Sequence, residues 1–324
     1  MSKEWVLKMN ELAREKKPFL FILDFDLKTP IVEELDNIPS NRIQYYLNGI
    51  SNQDQNINIH PDKSIDIRSQ TIDYESFQNK FAKVQAEIRA GNTYLLNLTF
   101  RHPVRINKSL KDIFYLSRAK YKLWLNDKFV LFSPESFVKI KDGEIFTYPM
   151  KGTAEKKDEN SASQLLKDDK EAAEHATITD LLRNDLGRVA NNIRVKRYRF
   201  IDEIITEKKT ILQVSSEISG KLSSYFLERP GDLFQEILPA GSVTRAPKKK
   251  TVDIIKNVEN YERGFYTGVF GIFSGKDIDS AVMIRFIEKK NGKYYYKSGG
   301  GITFMSDPEK EYREIKQKIY VPVH

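Results

Sequence analysis

The 324-residue chain contains no cysteine. Disulfide bonds, thiolate metal sites and cysteine nucleophiles are therefore excluded. Only four histidines are present and they are scattered, which argues against a histidine-based transition-metal site. Long apolar runs are missing as well, because the run at residues 19–23 is too short for a signal sequence or a membrane span. We therefore expect a cytoplasmic protein that does not bind membranes.

Charge is abundant but mixed in sign. The chain has 53 Lys and Arg against 45 Asp and Glu, a formal net charge of +8, yet the two signs are interleaved. Basic runs such as residues 248–250 are typical of a solvated helix face. Neither zinc-finger spacing nor an aromatic RNA-binding motif is present, so we do not expect nucleic acid as a partner.

The spacing of apolar residues predicts strands and helices in separate blocks. Residues 19–25 predict a buried strand, residues 74–89 have apolar side chains at helical spacing, and residues 160–189 are strongly helical. Residues 265–304 are rich in predicted strands. Blocks of this kind, without βαβ alternation, favour an α+β fold with mostly antiparallel sheets.

Two further segments are defined by their polar residues. Residues 51–72 are rich in Asn, Gln, Asp and Ser and predict a loop or linker. Near the C-terminus, Ser306 or Asp307 can cap a helix that begins close to Pro308. The sequence therefore predicts a final helix from this point.

Two carboxylate pairs, Glu171 with Glu174 and Glu311 with Glu314, have i, i+3 spacing within predicted helices. Residues at this spacing share a helix face, so each pair repels unless something offsets the charge. One interpretation is solvation or bridging by nearby lysines such as Lys318. The other is a hard divalent cation such as magnesium, which binds few protein oxygens and keeps several waters.

Two segments are candidate anion sites. Gly299, Gly300 and Gly301 follow a predicted strand, and a glycine turn there leaves backbone N–H groups free for a carboxylate or phosphate. Ser242 and Thr244 precede a predicted helix, whose N-terminus attracts anions. The alternatives are a flexible turn and ordinary helix capping.

Two basic residues stand in apolar sequence. Arg285 belongs to the apolar strand run DSAVMIRF, where a guanidinium is costly unless a carboxylate of the protein or of a ligand pairs with it. Lys151 ends another apolar run and precedes Gly152 and Thr153. A lysine that points into a pocket is a candidate amine nucleophile, whereas a surface lysine or a structural ion pair is not.

The motifs occur in a fixed order: GNTYLLNLTF, SPESF, PMKGTAEKK, EHATITDLLRNDLGRV, PAGSVTRAPK, RGFYTGVFG, DSAVMIR and SGGGITFMSDPEKEYREI. Over residues 74–324 this ordered set resembles the chorismate-utilising family, which includes anthranilate synthase, aminodeoxychorismate synthase, isochorismate synthase and salicylate synthase. The resemblance implies one large α+β domain of two packed, mostly antiparallel sheets surrounded by helices. Residues 1–73 would be a short N-terminal segment that contributes strands, and residues 74–324 the chorismate-binding catalytic region.

The resemblance also implies catalytic and metal-binding roles. Glu174 and Glu314 match the family's magnesium-binding glutamates, and Glu171 and Glu311 match their helical partners, which bind through water. The Mg²⁺ ion would hold the ring carboxylate of chorismate. Glu135, in SPESF, matches the general acid that helps the 4-hydroxyl group leave.

A larger set of residues is implied to bind the substrate. This set consists of Tyr266, Arg285, Thr244, Gly152, Thr153, Gly299, Gly300 and Gly301. Within it, Tyr266 and Arg285 match the residues that grip the enolpyruvyl carboxylate. The glycine run would offer backbone N–H groups to a substrate carboxylate.

Lys151 distinguishes branches of the family. Members similar to anthranilate synthase carry alanine at this position, whereas those similar to aminodeoxychorismate synthase have PIKGT, close to PMKGT here. In that branch the lysine attacks C2 of chorismate and displaces the C4 hydroxyl group, and ammonia then adds at C4 and expels the lysine. Residues 94–98 lack the lysine base that activates water in isochorismate and salicylate synthases.

The resemblance therefore favours aminodeoxychorismate synthase component I, acting in p-aminobenzoate and folate synthesis. The alternatives are anthranilate synthase component I and a non-catalytic chorismate-binding paralogue. Ammonia would come from a separate glutamine amidotransferase subunit, because a chain without cysteine lacks the nucleophile of a glutaminase. Gln213 stands where many members have histidine, which puts an acid–base role there in doubt. No tryptophan-binding motif is found before residue 74.

Overall fold

The computed structural model describes residues 3–53, 64–205, 210–244 and 247–323. The helices are α1 (Glu4–Arg14), α2 (Tyr74–Arg89), α3 (Leu110–Leu116), α4 (Ser161–Lys167), α5 (Asp169–Gly187), α6 (Pro230–Ile237), α7 (Gly241–Thr244), α8 (Lys248–Glu259) and α9 (Pro308–Gln317). The strands are β1 (Phe19–Leu23), β2 (Ile31–Glu34), β3 (Ile43–Leu47), β4 (Ile50–Ser51), β5 (Ile67–Ser69), β6 (Leu95–Ile106), β7 (Tyr121–Leu125), β8 (Phe129–Ser133), β9 (Ser136–Lys141), β10 (Glu144–Thr147), β11 (Met150–Glu155), β12 (Ala190–Ile205), β13 (Thr210–Leu222), β14 (Val269–Phe273), β15 (Ile278–Val282), β16 (Phe286–Lys290) and β17 (Lys293–Thr303).

These strands form two sheets in which every described pair is antiparallel. The order in the first sheet is β11-β13-β10-β9-β15-β14-β1-β2, with β12 paired to β13. The order in the second sheet is β4-β3-β7-β8-β16-β17-β6-β5. The predicted α+β fold, with two mostly antiparallel sheets and surrounding helices, is confirmed.

Strand β1 shows how the core is divided. Its side chains alternate between the two faces of the first sheet. Leu20 and Ile22 belong to a buried cluster shared with the second sheet, whereas Phe19, Phe21 and Leu23 pack in a cluster that includes helices α1, α5 and α6. Because both faces are covered, the strand is apolar at every position, as the sequence FLFIL predicts.

Helix boundaries follow the capping signals. Helix α2 has the predicted bounds, and the Asp73 side chain accepts a hydrogen bond from the Ser76 N–H at its start. Helix α9 begins at Pro308, where the Asp307 side chain accepts from the Lys310 N–H, so the predicted final helix is confirmed. The predicted loop at residues 51–72 includes the short strand β5, and its residues 54–63 lie outside the described part of the chain.

Across the described ranges, no helix has both the length and the apolar character that a bilayer span requires.

Two neighbouring chain segments cross from one sheet to the other. Residues 134–135 lead from β8 in the second sheet to β9 in the first, and residues 283–285 lead from β15 in the first sheet to β16 in the second. The Val282 N–H donates to the Glu135 carbonyl oxygen at 3.1 Å, and the Phe132 N–H donates to the Arg285 carbonyl oxygen at 3.2 Å. Glu135 and Arg285 are therefore held together at the junction between the sheets.

Because two histidines are buried, we expect the folded protein to lose stability in acid. Burial lowers the pKa of His102 to about 4, and burial with the nearby Arg199 charge lowers the pKa of His175 to about 4, against a usual value of 6.5. Between about pH 4 and pH 6.5, the unfolded chain therefore binds more protons than the folded chain. Each histidine contributes stability that is complete above about pH 6.5 and is lost as the pH falls toward 4, up to about 3 kcal/mol.

We expect the substitution His102→Gln to flatten the pH dependence of folding. Urea denaturation near pH 7 and near pH 4.5 measures the free energy of unfolding of both proteins. The loss between these two pH values should be smaller in the variant, because glutamine does not titrate. Equal losses in the variant and the unaltered chain would show that His102 is not kept neutral by the fold.

Candidate active site

Lys151 lies in a β-bulge at the start of β11. Met150 pairs with Ser215 of β13 and Thr153 pairs with Gln213, so β11 has one extra residue between these pairs. The bulge includes Gly152, whose φ of 80° is rarely adopted by residues with a side chain. Such a bulge reorients the neighbouring side chain, and this geometry explains why a glycine directly follows the lysine.

The Lys151 amine points toward helix α5. Its Nζ lies 3.1 Å from Oε2 of Glu174, and the Lys151 side chain is 25% exposed. Glu171 stands one turn earlier, and its N–H donates to the Asp168 side chain that caps the helix. A Cβ atom on Gly152 would lie 3.3 Å from Oε2 of Glu171. The glycine therefore leaves room for this carboxylate beside the bulge.

Helix α9 repeats this arrangement on the second sheet. Glu311 lies in its first turn, where the helix dipole favours negative charge, and Glu314 lies one turn later. Glu311 is buried, and its Oε1 accepts a hydrogen bond from the Ser306 hydroxyl at 2.8 Å. A Cβ atom on Gly300 would lie 3.4 Å from Oε2 of Glu311. Each carboxylate helix thus packs against a glycine of a neighbouring strand.

Lys318 joins the second helix to the rest of the site. Its Nζ lies 2.7 Å from Oε1 of Glu314 and donates to the Gly299 carbonyl oxygen at 2.9 Å. Burial lowers the pKa of Lys318; the Glu314 carboxylate raises it, and the charges of Arg285 and Lys151 lower it further. Arg285 and Lys151 are therefore both close enough to Lys318 for their charges to act on it.

Lysines do bridge the glutamates, as one interpretation of the sequence suggested. Lys318, which directly follows α9, pairs with Glu314 of that helix, whereas Lys151 of strand β11 pairs with Glu174 of helix α5. Among the residues that the structure describes, no three acidic or histidine side chains surround a common point.

The predicted glycine turn is wrong, because Gly299, Gly300 and Gly301 lie inside strand β17 and pair with β6. A Cβ atom on Gly299 would lie 2.6 Å from the Leu98 carbonyl oxygen, so glycine serves the close approach of two strands. Strand β16 pairs with β17 only as far as Lys297. Beyond that residue, this edge of β17 has no strand partner within the described ranges, and Lys318 donates to the Gly299 carbonyl oxygen there.

The predicted strand position of Arg285 is also wrong. Arg285 lies in the bend between β15 and β16, with a φ of 52°. Its Nε donates to the Tyr320 hydroxyl at 3.3 Å, and the guanidinium stands 5.3 Å from the centre of that ring. Arg285 makes no ion pair within the described part of the chain. A phenol thus takes the place of the expected carboxylate, and the positive charge is available to an anionic ligand.

Tyr266 and Glu135 lie next to Arg285. Tyr266 is buried, and its ring packs on Phe286 with the ring centres 5.9 Å apart. Burial raises the pKa of Tyr266, the charges of Arg263 and Arg285 lower it, and the charge of Glu135 adds to the rise. Arg285 and Glu135 are therefore close enough to act on the phenol. The structure brings together a phenol, a guanidinium and a carboxyl group at the junction between the sheets.

Thr244 and Thr153 are the remaining predicted residues. Thr244 ends helix α7, is buried, and donates its hydroxyl to the Ala240 carbonyl oxygen at 3.0 Å. Its oxygen can still accept a hydrogen bond. Thr153 stands opposite Gln213 across β11 and β13, so the position of the family histidine adjoins the bulge.

Sequence reasoning missed Tyr320 and His175. His175 directly follows Glu174, is buried, and its Nε2 lies 2.7 Å from the Ser216 hydroxyl oxygen. Its position in the motif EHATITDLLRNDLGRV was a signal that could have found it. Tyr320 lies beyond the last motif, and no spacing in the sequence singles it out.

The chain belongs to the family of chorismate binding enzymes, whose model matches residues 21–324. A Haemophilus influenzae protein named as an uncharacterized PabA-like protein is 45% identical over 315 residues, covering 97% of this chain and 95% of that protein. Bacillus subtilis aminodeoxychorismate synthase component 1 is 30% identical over 264 residues, covering 76% of this chain and 54% of that protein. Crystalline anthranilate synthase component I from Streptococcus pneumoniae is 28% identical, with a TM-score of 0.67 over 79% of this chain and 58% of that one.

The predicted resemblance to chorismate-utilising enzymes is thus confirmed. The chain spans about half the length of the aminodeoxychorismate synthase component that it matches.

We expect Gly152→Ala to destabilise the bulge. A Cβ atom at a positive φ costs about 1–2 kcal/mol, and here it would also press on the Glu171 carboxylate. Gly187→Ala is the matched control, since Gly187 ends α5 and a Cβ there would meet nothing within 4 Å. Urea denaturation should show a loss for the first variant and little change for the second. Equal stabilities would contradict the described bulge.

Proposed function

We propose that the chain is the chorismate-aminating component of aminodeoxychorismate synthase. It would convert chorismate and ammonia to 4-amino-4-deoxychorismate through a covalent adduct on Lys151. The observation that carries this proposal is the position of the Lys151 amine: the side chain lies in the bulge, is three-quarters buried, and its Nζ lies 3.1 Å from Oε2 of Glu174. A surface lysine would have neither the burial nor the direction.

The charges of the site suit a substrate with two carboxylates. Arg285 and Tyr266 would bind the enolpyruvyl carboxylate, since the guanidinium has a free charge and the phenol lies beside it. Lys318 and the open edge of β17 at residues 299–301 would bind the ring carboxylate. Two anchors at opposite ends fix the ring relative to Lys151, which lowers the entropic part of the barrier.

The donor chemistry of the site fits Mg²⁺. Glu174 and Glu314, with Glu171 and Glu311 beside them, supply the carboxylate oxygens that this ion prefers, and Gly152 and Gly300 leave them room. When bound, the ion would neutralise the ring carboxylate and draw electron density from the ring. Each lysine would then release its glutamate and become available to the substrate.

The residues of the chain divide the displacement into two steps. In the first, the Lys151 amine attacks C2, the ring double bonds shift, and the C4–O bond breaks as Glu135 protonates the leaving hydroxyl group. In the second, ammonia attacks C4 and the C2–N bond to Lys151 breaks. Covalent catalysis replaces one difficult step by two easier ones, and a placed general acid contributes about 10²–10⁴-fold. A glutamine amidotransferase subunit would supply the ammonia.

Anthranilate synthase component I is the second candidate, because the chain also resembles the Streptococcus pneumoniae enzyme of that name. The two activities differ in their products. Incubation with chorismate, ammonium and magnesium, followed by mass spectrometry, should give an aminated ring that retains the enolpyruvyl ether. Anthranilate with pyruvate would instead support the second candidate, and binding of chorismate without turnover would support a non-catalytic paralogue.

We expect Lys151→Ala to lower the amination rate at least about 100-fold or to divert the product toward anthranilate, because the nucleophile is lost. Lys156→Ala is the control, since Lys156 directly follows the strand that carries Lys151, but its side chain is 41% exposed and paired with Glu203. Rates and products are measured with saturating ammonium. Unchanged kinetics and product in the Lys151 variant would contradict covalent catalysis.

We expect Glu314→Gln to weaken Mg²⁺ binding at least about tenfold with little loss of stability. The Glu314 side chain is 52% exposed, so its neutral replacement costs the fold little. Isothermal titration with magnesium chloride measures the affinity, and Glu309→Gln, at a 70% exposed position of the same helix, is the control. A variant that melts far earlier but binds Mg²⁺ normally would contradict the metal assignment.

A further inference from the structure

The C-terminal tail, residues 319–323, places a tyrosine beside Arg285. Tyr320 follows helix α9, and its hydroxyl oxygen accepts a hydrogen bond from Nε of Arg285 at 3.3 Å. The guanidinium carbon stands 5.3 Å from the centre of the Tyr320 ring, within the range of a cation–π contact. Tyr320 therefore makes two contacts with the arginine that is proposed to bind the enolpyruvyl carboxylate.

The C-terminal tail is attached to the second sheet, which fixes the position of Tyr320. The Tyr296 hydroxyl group of β17 donates to the Tyr320 carbonyl oxygen at 2.9 Å. Ile319 and Val321, the residues on either side, pack against a buried cluster that includes Tyr296 and Ile287. The neighbours of Tyr320 are thus held by the core of the second sheet, whereas Tyr320 itself is 43% exposed and its ring lies beside Arg285.

The contact with Tyr320 leaves most of the Arg285 guanidinium free. A guanidinium has five N–H donors in one plane, and the donor on Nε is directed to Tyr320. Within the described part of the chain, the four donors on the two terminal nitrogens of Arg285 make no hydrogen bond. A phenol is neutral, so it occupies Nε without cancelling the positive charge. The terminal edge of the guanidinium is therefore the edge that a carboxylate would bind in a bidentate manner.

The Tyr320 hydroxyl group also has a donor to offer. Its oxygen accepts from Arg285, but its hydrogen is donated to no acceptor among the residues that the structure describes. A free O–H donor thus stands beside the free N–H donors of Arg285. A carboxylate has about four lone-pair positions, so it can accept from both nitrogens of a guanidinium and from a phenol at the same time.

We propose that Tyr320 is a substrate-binding residue, whose hydroxyl group donates to the enolpyruvyl carboxylate bound by the terminal nitrogens of Arg285. This inference rests on the proposed function, which places that carboxylate at Arg285. A hydrogen bond to a charged acceptor is stronger than one between neutral groups, so the phenol favours an ionised carboxylate over an uncharged ester. Tyr320 thus contributes to the specificity for a substrate with two carboxylates.

The substitution Tyr320→Phe tests this inference, because it removes the hydroxyl group and keeps the ring. The variants are made in the Lys151→Ala chain, in which chorismate binds but no adduct forms, and isothermal titration with chorismate and magnesium chloride measures the Kd. We expect the Kd to rise about ten- to a hundredfold, the range for one lost hydrogen bond to a charged group. Urea denaturation should show little change in stability, since Tyr320 is 43% exposed.

Tyr225→Phe is a closely matched control. The Tyr225 hydroxyl oxygen also accepts a hydrogen bond from an arginine, Arg229, at 2.9 Å, and its ring centre lies 4.6 Å from that guanidinium. Tyr225 is 51% exposed and lies between β13 and α6, in a segment that supplies no residue of the proposed site. The control loses the same kind of contact, so it should bind chorismate like the Lys151→Ala chain.

A second ligand distinguishes substrate binding from a merely structural role. Chorismate esterified with methanol at the enolpyruvyl carboxylate lacks the charge that Arg285 and Tyr320 are proposed to bind. The Lys151→Ala chain should prefer chorismate to this ester, and Tyr320→Phe should reduce the ratio of the two Kd values at least about fivefold, because the lost hydrogen bond is stronger to the charged group. A general loosening of the site would weaken both ligands equally and leave the ratio unchanged.

The outcomes separate this inference from the proposed function. If Tyr320→Phe binds chorismate as tightly as Tyr225→Phe, or weakens chorismate and the ester equally, this inference alone fails. If the unaltered chain forms no aminated product, but Tyr320→Phe still reduces the preference for chorismate over the ester, the amination fails and the role of Tyr320 stands. If the chain does not bind chorismate, both proposals fail.

Discussion

The extra residue in β11 determines what the site can do, because it controls where one amine points. A regular strand places successive side chains on opposite faces, and its direction cannot be changed at a single position. The bulge at Lys151 and Gly152 releases this constraint and directs Nζ toward Glu174. Glycine is favoured there because φ is 80°, and a Cβ atom would in addition make a tight contact with the Glu171 carboxylate. The proposed covalent chemistry therefore depends on one local backbone feature.

The two sheets supply complementary halves of the site. The first sheet and α5 contribute Lys151 and one carboxylate pair, and the second sheet and α9 contribute the open edge of β17 and the other pair. The crossovers that carry Glu135 and Arg285 hydrogen-bond across the junction and so hold the halves in register. A diacid that contacts both sheets would add to these links. We therefore expect substrate binding to be sensitive to changes at the junction as well as to changes in the contacting side chains.

Features set by local rules could be predicted from the sequence, and features set by distant partners could not. The bounds of α2 follow from its apolar spacing and the Asp73 cap, and the fold class follows from the blocks of strands and helices. The glycine run instead became a strand, because β6 approaches so closely that Gly299 can have no side chain. Likewise, Arg285 lies in a bend whose position depends on the neighbouring crossover, and its partner Tyr320 belongs to no motif. The candidate site could be assigned by family motifs, but the ion pairs within it needed the structure.

The central claim is that the Lys151 nitrogen forms a transient bond to the substrate. The most direct measurement is to mix the protein with chorismate and magnesium in the absence of ammonia, quench rapidly and determine the intact mass. Without ammonia the second step is blocked, so we predict a mass gain equal to chorismate less one water, located by peptide mapping at Lys151. An unmodified chain under conditions that support turnover when ammonium is added, or an adduct on a different residue, would contradict the account.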